Sequence, residues 1–170
     1  MNRKSDHIRI CMNENVESFS TQNEPFARIR LIPEALPEIN AQDIDTKCTF
    51  LNRSFSMPLL ITGMTGGVEK GQQLNENLAR AASEFGIPMG LGSLKLLAKD
   101  VSYLPLFNVR KTSPHVFLIG NIGLADVAAG VINIDDILRL IDALKLDAFA
   151  FHVNALQESI QPEGSMTFRN

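Results

Sequence analysis

A short apolar run followed by a helical segment recurs four times after residue 56. Each run is too short for a helix, ends in glycine or polar residues, and has the composition of a strand buried on both faces. The runs are residues 57–64 (MPLLITGM), 87–92 (IPMGLG), 116–122 (VFLIGNI) and 147–154 (DAFAFHVN). Strands that alternate with helices favour parallel βα units with right-handed crossovers. We therefore predict neighbouring parallel strands in sequence order.

The segments around these runs carry helical signals. Helices are predicted at residues 71–85, 94–107, 124–129 and 134–144. Gly86 is a stop signal for the first, and Pro105 predicts a break in the second. Asp135 and Asp136 fall in the first turn of the last helix, where the helix dipole favours anions.

Residues 1–56 show no sustained helical or alternating period. Pro25, Pro33 and Pro37 each remove a backbone donor and bias the preceding residue toward extended geometry. We expect an irregular amino-terminal arm with short strands or turns over residues 1–56, and the βα region over residues 57–170.

Charge and cysteine content narrow the functional classes. Sixteen basic and nineteen acidic residues give a net charge of −3, which excludes nucleic-acid or anionic-membrane binding by bulk charge. Cys11 and Cys48 form no CxxC pair, and no secretory signal opens the chain. We expect a cytoplasmic protein that acts on small molecules.

Polar and glycine residues end the predicted strands, where parallel βα folds bind ligands. Glycine beside a hydroxyl or amide suits a flat polar heterocycle that lies against backbone. The residues concerned are Thr62, Gly63 and Met64, then Ser93, then Asn121, and finally His152 and Asn154. The alternative is that glycine and polar residues commonly end strands without binding anything.

Glu158 follows the last strand and is the first choice for a Mg²⁺ ligand, since Mg²⁺ takes one or two carboxylates and completes its shell with water and substrate phosphate. The alternatives are a solvated Glu158 and a His152 that merely donates a hydrogen bond in the core. Arg3 and Lys4 could clamp a phosphate, although a charged amino terminus is usually just solvated.

Read together, these segments resemble the type 2 isopentenyl diphosphate isomerases, the FMN-dependent class. The resemblance is carried, in order, by RKSDHI at residues 3–8, RLIPEALPEIN at 30–40, PLLITGMTGG at 58–67, GLGS at 90–93, GNIG at 120–123 and HVNALQESIQPEG at 152–164.

The resemblance implies a (β/α)8 barrel with reduced FMN, Mg²⁺ and an isoprenoid diphosphate at its carboxyl-terminal mouth, and NADPH as the reductant. The reaction converts isopentenyl to dimethylallyl diphosphate. By position, the residues that would contact FMN are Thr62, Gly63, Met64, Ser93 and Asn121. Those that would bind the substrate are Arg3, Lys4, Ser93, Lys95 and Gln157. The catalytic residues would be His152, Asn154 and Gln157, and the Mg²⁺ ligand would be Glu158.

The chain departs from the family in three respects. The family usually has Gln and Arg where this chain has Leu94 and Lys95, and an Asp where it has Ser165. Its 170 residues hold only four βα units, whereas a complete barrel takes about 250 residues. We expect a half barrel that has little isomerase activity alone. Its open edges imply either that the chain is a fragment of a longer protein or that it pairs as a homo-oligomer.

Two other functions remain open from the sequence. An FMN-dependent oxidoreductase on the same barrel would use the same flavin-contacting residues. An inactive remnant would keep the fold as a folding or interaction unit and would bind no flavin.

Overall fold

The computed structural model describes residues 3–16 and 29–160. In chain order the elements are α1 (Arg3–Asn13), β1 (Cys48–Phe50), β2 (Arg53–Phe55), α2 (Glu69–Phe85), β3 (Met89–Gly90), α3 (Lys95–Lys99), α4 (Leu104–Phe107), β4 (Leu118–Gly123), α5 (Leu124–Ala128), α6 (Ile134–Leu144), β5 (Ala148–His152) and α7 (Ala155–Ile160). Single 3-10 turns lie at Ala41–Asp43 and Val101–Tyr103. The fold is α/β.

A parallel sheet in the order β3, β4, β5 forms the centre of the βα region. Met89 pairs with Leu118, and Ile119 pairs with Ala148. Ile61 forms a single parallel bridge to Met89, so the segment around Ile61 lies next to β3 at the edge of the sheet. The predicted parallel arrangement in sequence order is therefore confirmed. Strands β1 and β2 form a separate antiparallel hairpin.

The strand predicted at residues 57–64 is wrong as a continuous strand, because only its Ile61 bridges to a neighbour. Pro58 has no backbone N–H to donate, and the N–H of Leu59 turns back to the carbonyl of Met57 at 2.8 Å. Ile61 then donates to the carbonyl of Pro88 at 3.1 Å. The local turn removes the preceding residues from the sheet.

Helix ends follow the local signals closely. Gly86 caps α2 in the left-handed conformation with φ 62°, which confirms the predicted stop. Helix α6 has the predicted bounds, and Asn133 begins it with a capping box to Asp136. The helix predicted at 94–107 is broken at Asp100, before Pro105, which lies in the first turn of α4 and loses no hydrogen bond there.

Helix α1 was not expected, since the arm was predicted to be irregular. The amide of Asn13 donates to the carbonyl of Arg9 at 2.8 Å, and Arg9 pairs with Glu14 at 3.0 Å. Ile8 is buried and, with Met64 and other residues, lines a pocket of about 160 Å³. Among the side chains of α1 that the structure describes, Ile8 alone is buried and gives no helical period in the sequence, so tertiary packing decides this element.

The core lies between the sheet and helices α2, α3, α4 and α6. Its fully buried side chains include Met89 and Leu118 from the strands, Leu144 from α6, and Phe107 from α4. Among the residues the structure describes, no helix is both long enough and apolar enough to cross a membrane.

Arg110 joins several chain segments at the amino end of the sheet. Its guanidinium donates to the carbonyls of Leu144 at 3.2 Å and Val116 at 2.6 Å, and to Asp147 Oδ2 at 2.9 Å. The same carboxylate oxygen accepts from the N–H of Leu118 at 2.9 Å. Buried backbone acceptors are thereby satisfied at the edge opposite the predicted site.

Candidate functional site

The chain segments at the carboxyl edge of the sheet meet around the carbonyl of Leu91. A Cβ at Gly63 would overlap this oxygen and also lie 3.2 Å from the side-chain nitrogen of Asn121. The N–H of Leu91 donates to the carbonyl of Ile119 at 2.9 Å, which holds the segment against β4. Only glycine permits this close approach at position 63.

Asn121 connects three strand ends. Its amide nitrogen donates to the carbonyl of Leu91, and its amide oxygen lies 3.3 Å from His152 Nδ1. Asn121 is half-buried on β4, whereas His152 is exposed at the end of β5. The structure therefore brings two of the predicted site residues into direct contact.

Gly123 lies close to His152, and the absence of a Cβ permits this approach. A Cβ there would lie 3.2 Å from His152 Nε2 and 3.3 Å from Asp126 Oδ2, so the ring and the carboxylate flank the same space. The side chain of Asp126 is only 7% exposed, and Lys95 Nζ lies 2.6 Å from its Oδ1. Asp126 is not among the residues predicted for the site. A charged residue in an otherwise apolar stretch was the available signal.

The two departures after GLGS take different places in the structure. Leu94 is completely buried in the core, and its backbone N–H donates to the carbonyl of Asn121 at 2.9 Å. Lys95 was expected to bind substrate, and its ammonium group is paired with Asp126. A core side chain thus stands where the family has an amide, and an internal carboxylate partly neutralises the cation.

The residues expected to contact FMN are accessible from solvent. Thr62, Gly63 and Met64 are exposed, and Ser93 is half-buried just beyond the second predicted strand. The exposed segment at residues 62–64 and the polar side chains of Ser93 and Asn121 offer the polarity that a flat heterocycle needs at its edge.

The remaining predicted residues follow β5. Asn154 is exposed, and its carbonyl accepts from the N–H of Glu158 at 3.1 Å at the start of α7. Within residues 3–16 and 29–160, no three or more His, Cys, Asp or Glu side chains lie close enough together to hold a metal. The side chains of Arg3, Lys4 and Gln157, and all of Ser165, lie outside the described residues.

Comparison with known proteins gives a consistent result. Residues 6–101 match the family of FMN-dependent dehydrogenases. Isopentenyl-diphosphate delta-isomerase from Pyrococcus abyssi (strain GE5 / Orsay) is 42% identical over 98% of this chain and 46% of its own length. The proteins of the same name from Rickettsia bellii (strain RML369-C) and Nostoc sp. (strain PCC 7120 / SAG 25.82 / UTEX 2576) are 42% and 41% identical.

These matches cover 99% and 98% of this chain but 48% and 47% of the two relatives. The chain therefore spans about half the length of the curated relatives it matches. The resemblance stated from the sequence motifs is confirmed by both the family match and the names of these relatives. The chain belongs to the family of FMN-dependent dehydrogenases.

Proposed function

We propose that this chain supplies the amino-terminal half of a (β/α)8 barrel that catalyses isopentenyl diphosphate isomerisation with reduced FMN. The observation that carries the proposal is the contact of Gly63, Leu91, Asn121 and His152 at the carboxyl edge of the sheet. Parallel βα folds bind ligands at this edge. Residues 1–56 form the arm, and residues 57–170 form the first half of the barrel.

Thr62, Gly63 and Met64, which are exposed, would hold the flavin together with Ser93 and Asn121. The close approach of Gly63 to Leu91 and the hydrogen bond from Asn121 to Leu91 keep these chain segments together. Bound reduced FMN would supply a ring able to exchange protons with an alkene. The protein residues orient this ring and limit its contact with water.

The substrate diphosphate binds Arg3 and Lys4, because a guanidinium fork and an ammonium group both suit phosphate oxygens. His152, Asn154 and Gln157 line the isoprenoid carbons and the phosphate. Lys95 adds cationic charge at the same edge, although Asp126 compensates part of it. Ser93 contacts both flavin and substrate.

Glu158 would supply the carboxylate that holds a Mg²⁺ ion, and the ion would offset the charge of the diphosphate. A single carboxylate is sufficient for such a site, because Mg²⁺ usually keeps several waters. NADPH reduces the flavin, the protein acts in the cytoplasm, and the barrel forms homo-oligomers.

A chimera tests the function. The chain is joined at Asn170 to the unmatched carboxyl-terminal part of the Pyrococcus abyssi relative, and conversion of isopentenyl to dimethylallyl diphosphate is followed by NMR with reduced FMN and Mg²⁺. We expect Mg²⁺-dependent isomerisation by the chimera and little by the 170-residue chain alone, which should bind FMN weakly. A folded, flavin-loaded chimera with no turnover would contradict the proposal.

Two variants of the chimera assign the metal ligand. Glu158→Gln preserves shape but removes the charge that a hard cation needs, so flavin should remain bound while most Mg²⁺-dependent turnover is lost. Glu84→Gln makes the same change at an exposed position of α2 and should leave turnover unchanged. If turnover depends on the Mg²⁺ concentration in the same way in both variants, Glu158 is not a metal ligand.

The matched family favours a second candidate, an FMN-dependent oxidoreductase, because its members are described as dehydrogenases. The chimera would then reduce its flavin with an oxidisable substrate in the absence of isoprenoid, and isomerisation would be absent. A colourless chimera without flavin absorption would instead indicate an inactive remnant.

A further inference from the structure

We propose that Asn121 is a positioning residue that holds His152 in the neutral tautomer with its proton on Nδ1. In this tautomer Nε2 presents a lone pair at the carboxyl edge of the sheet. The inference deepens the proposed function, since it specifies how His152 meets a substrate or cofactor in that site. The tautomer itself follows from contacts within the chain.

The first step is the orientation of the Asn121 amide. A backbone carbonyl can only accept a hydrogen bond, so the side-chain atom of Asn121 that contacts Leu91 O must be the NH₂ group. A flipped amide would place two acceptors against each other. The Leu91 segment is also fixed from its other side by the bond from its N–H to Ile119. The orientation of Asn121 is therefore determined by its surroundings.

The second step is the proton on His152. With its NH₂ group directed to Leu91, Asn121 turns its oxygen toward His152 Nδ1 at 3.3 Å. An amide oxygen can only accept, so Nδ1 must carry the hydrogen. In a neutral imidazole one nitrogen donates and the other accepts, which leaves Nε2 with the lone pair.

The third step is what Nε2 faces. It lies close to Gly123, where a Cβ would press against the ring at 3.2 Å, and His152 is exposed. Asp126 lies near the same glycine, but its Oδ1 is paired with Lys95 at 2.6 Å. Nε2 is thus available to accept a hydrogen bond or a proton from a bound ligand. The neutral ring cannot donate from this nitrogen.

The test is the ¹⁵N spectrum of the 170-residue chain labelled at histidine, recorded without flavin or isoprenoid at about pH 9, where free histidine is neutral. Protonated and unprotonated ring nitrogens have well-separated shifts. Comparison with His152→Gln assigns the signals among His7, His115 and His152. We expect a protonated Nδ1 and an unprotonated Nε2 at His152. An Nε2–H form, or an even mixture, would overturn the inference.

Three variants separate positioning from general stability. Asn121→Ala removes the acceptor and should shift the tautomer ratio by about tenfold toward the Nε2–H form, the effect of one hydrogen bond. Asn121→Asp keeps an acceptor toward Nδ1 and should keep the Nδ1–H form, at a cost in stability because its second oxygen replaces the donor to Leu91. Asn133→Ala removes an amide that caps α6 far along the chain, so it should destabilise the fold without changing the His152 signals.

An unchanged tautomer in Asn121→Ala would also contradict the inference. If Asn121→Ala does not fold, the wild-type and Asn121→Asp spectra still decide it. Because the measurement uses no cofactor or substrate, its failure is distinguishable from failure of the isomerase assay. A chain with the Nδ1–H tautomer but an inactive chimera would refute the proposed function alone.

Discussion

Lys95 Nζ lies 2.6 Å from Asp126 Oδ1, directly behind the carboxyl edge of the parallel sheet. The carboxylate side chain is 7% exposed and the lysine side chain 31% exposed, so the pair is largely removed from water. A buried carboxylate that loses its cation carries a large desolvation cost. The pair therefore links fold stability to the arrangement of the site.

Replacing Lys95 with Met should lower the free energy of unfolding by about 2 to 3 kcal/mol, less than the full cost of breaking a completely buried pair, because Lys95 is partly exposed. Urea denaturation of the chain measures this value. Lys145→Met is the matched control, since its pair with Asp142 at 2.6 Å is exposed and should contribute about 0.5 kcal/mol or less. Equal losses would contradict a special role for the Lys95 pair.

Gly63→Ala should be strongly destabilising, by about 3 kcal/mol or more, because its Cβ would overlap the backbone carbonyl of Leu91, which has little freedom to move. Gly130→Ala is the comparison. Gly130 has φ +69° and open space around it, so alanine there meets only the left-handed conformational cost of about 1 to 2 kcal/mol. Thermal unfolding of both variants measures the difference in stability. If Gly63→Ala loses no more stability than Gly130→Ala, the segments at residues 63 and 91 can move apart without penalty, which would contradict this prediction.

Arg110→Ala should lower the free energy of unfolding by about 3 kcal/mol, because it leaves several carbonyls and Asp147 without their donor. Arg110→Lys should restore less than half of this loss, since an ammonium group cannot reproduce the planar fork. Arg139→Ala removes an exposed arginine paired with Asp136 and should cost about 0.5 kcal/mol or less. Chemical denaturation at neutral pH gives all three values.

Asp100 should titrate below its ordinary value of 3.8, since hydrogen bonds from the hydroxyl and then the N–H of Ser102 lower the pKa of its carboxyl. A lowered pKa stabilises the fold above the ordinary value, and this contribution is lost as the pH falls through the folded-state pKa. Carboxyl NMR shifts followed from pH 6 downward give the midpoint.

Ser102→Ala removes the hydroxyl but keeps the N–H, so it should raise the Asp100 midpoint part of the way toward 3.8. Ser83→Ala, at an exposed position of α2, serves as the control and should leave that midpoint unchanged. An Asp100 midpoint at or above 3.8 in the wild-type chain would contradict the effect of these hydrogen bonds.

Local signals predicted the helices that begin or end at strong caps. The left-handed glycine at position 86 and the capping box at Asn133 act over a few residues, so α2 and α6 could be placed from sequence. Helix α1 depends on packing against distant residues. The run around Pro58 is interrupted by a local turn that competes with the sheet. Apolar spacing alone does not contain that information.

The same distinction applies to the site. Parallel topology alone predicts that Asn121 and His152 lie at one edge of the sheet. Their contact depends on register, because Gly123 pairs with His152 and Asn121 with Ala150. The Lys95 and Asp126 pair also joins two different βα units, so neither residue identifies the other from its position in the chain.

The shared oxygen of Asp147 makes local opening of the sheet cooperative. The first amide of β4 is held by this side chain, and the same carboxylate binds the arginine that retains the end of α6. Opening at the start of β4 breaks the bond from the Leu118 N–H to Asp147 and leaves the partner of Arg110 with one donor fewer. Slow hydrogen exchange at Leu118 should therefore follow the rate at which α6, β4 and β5 separate as one foldon.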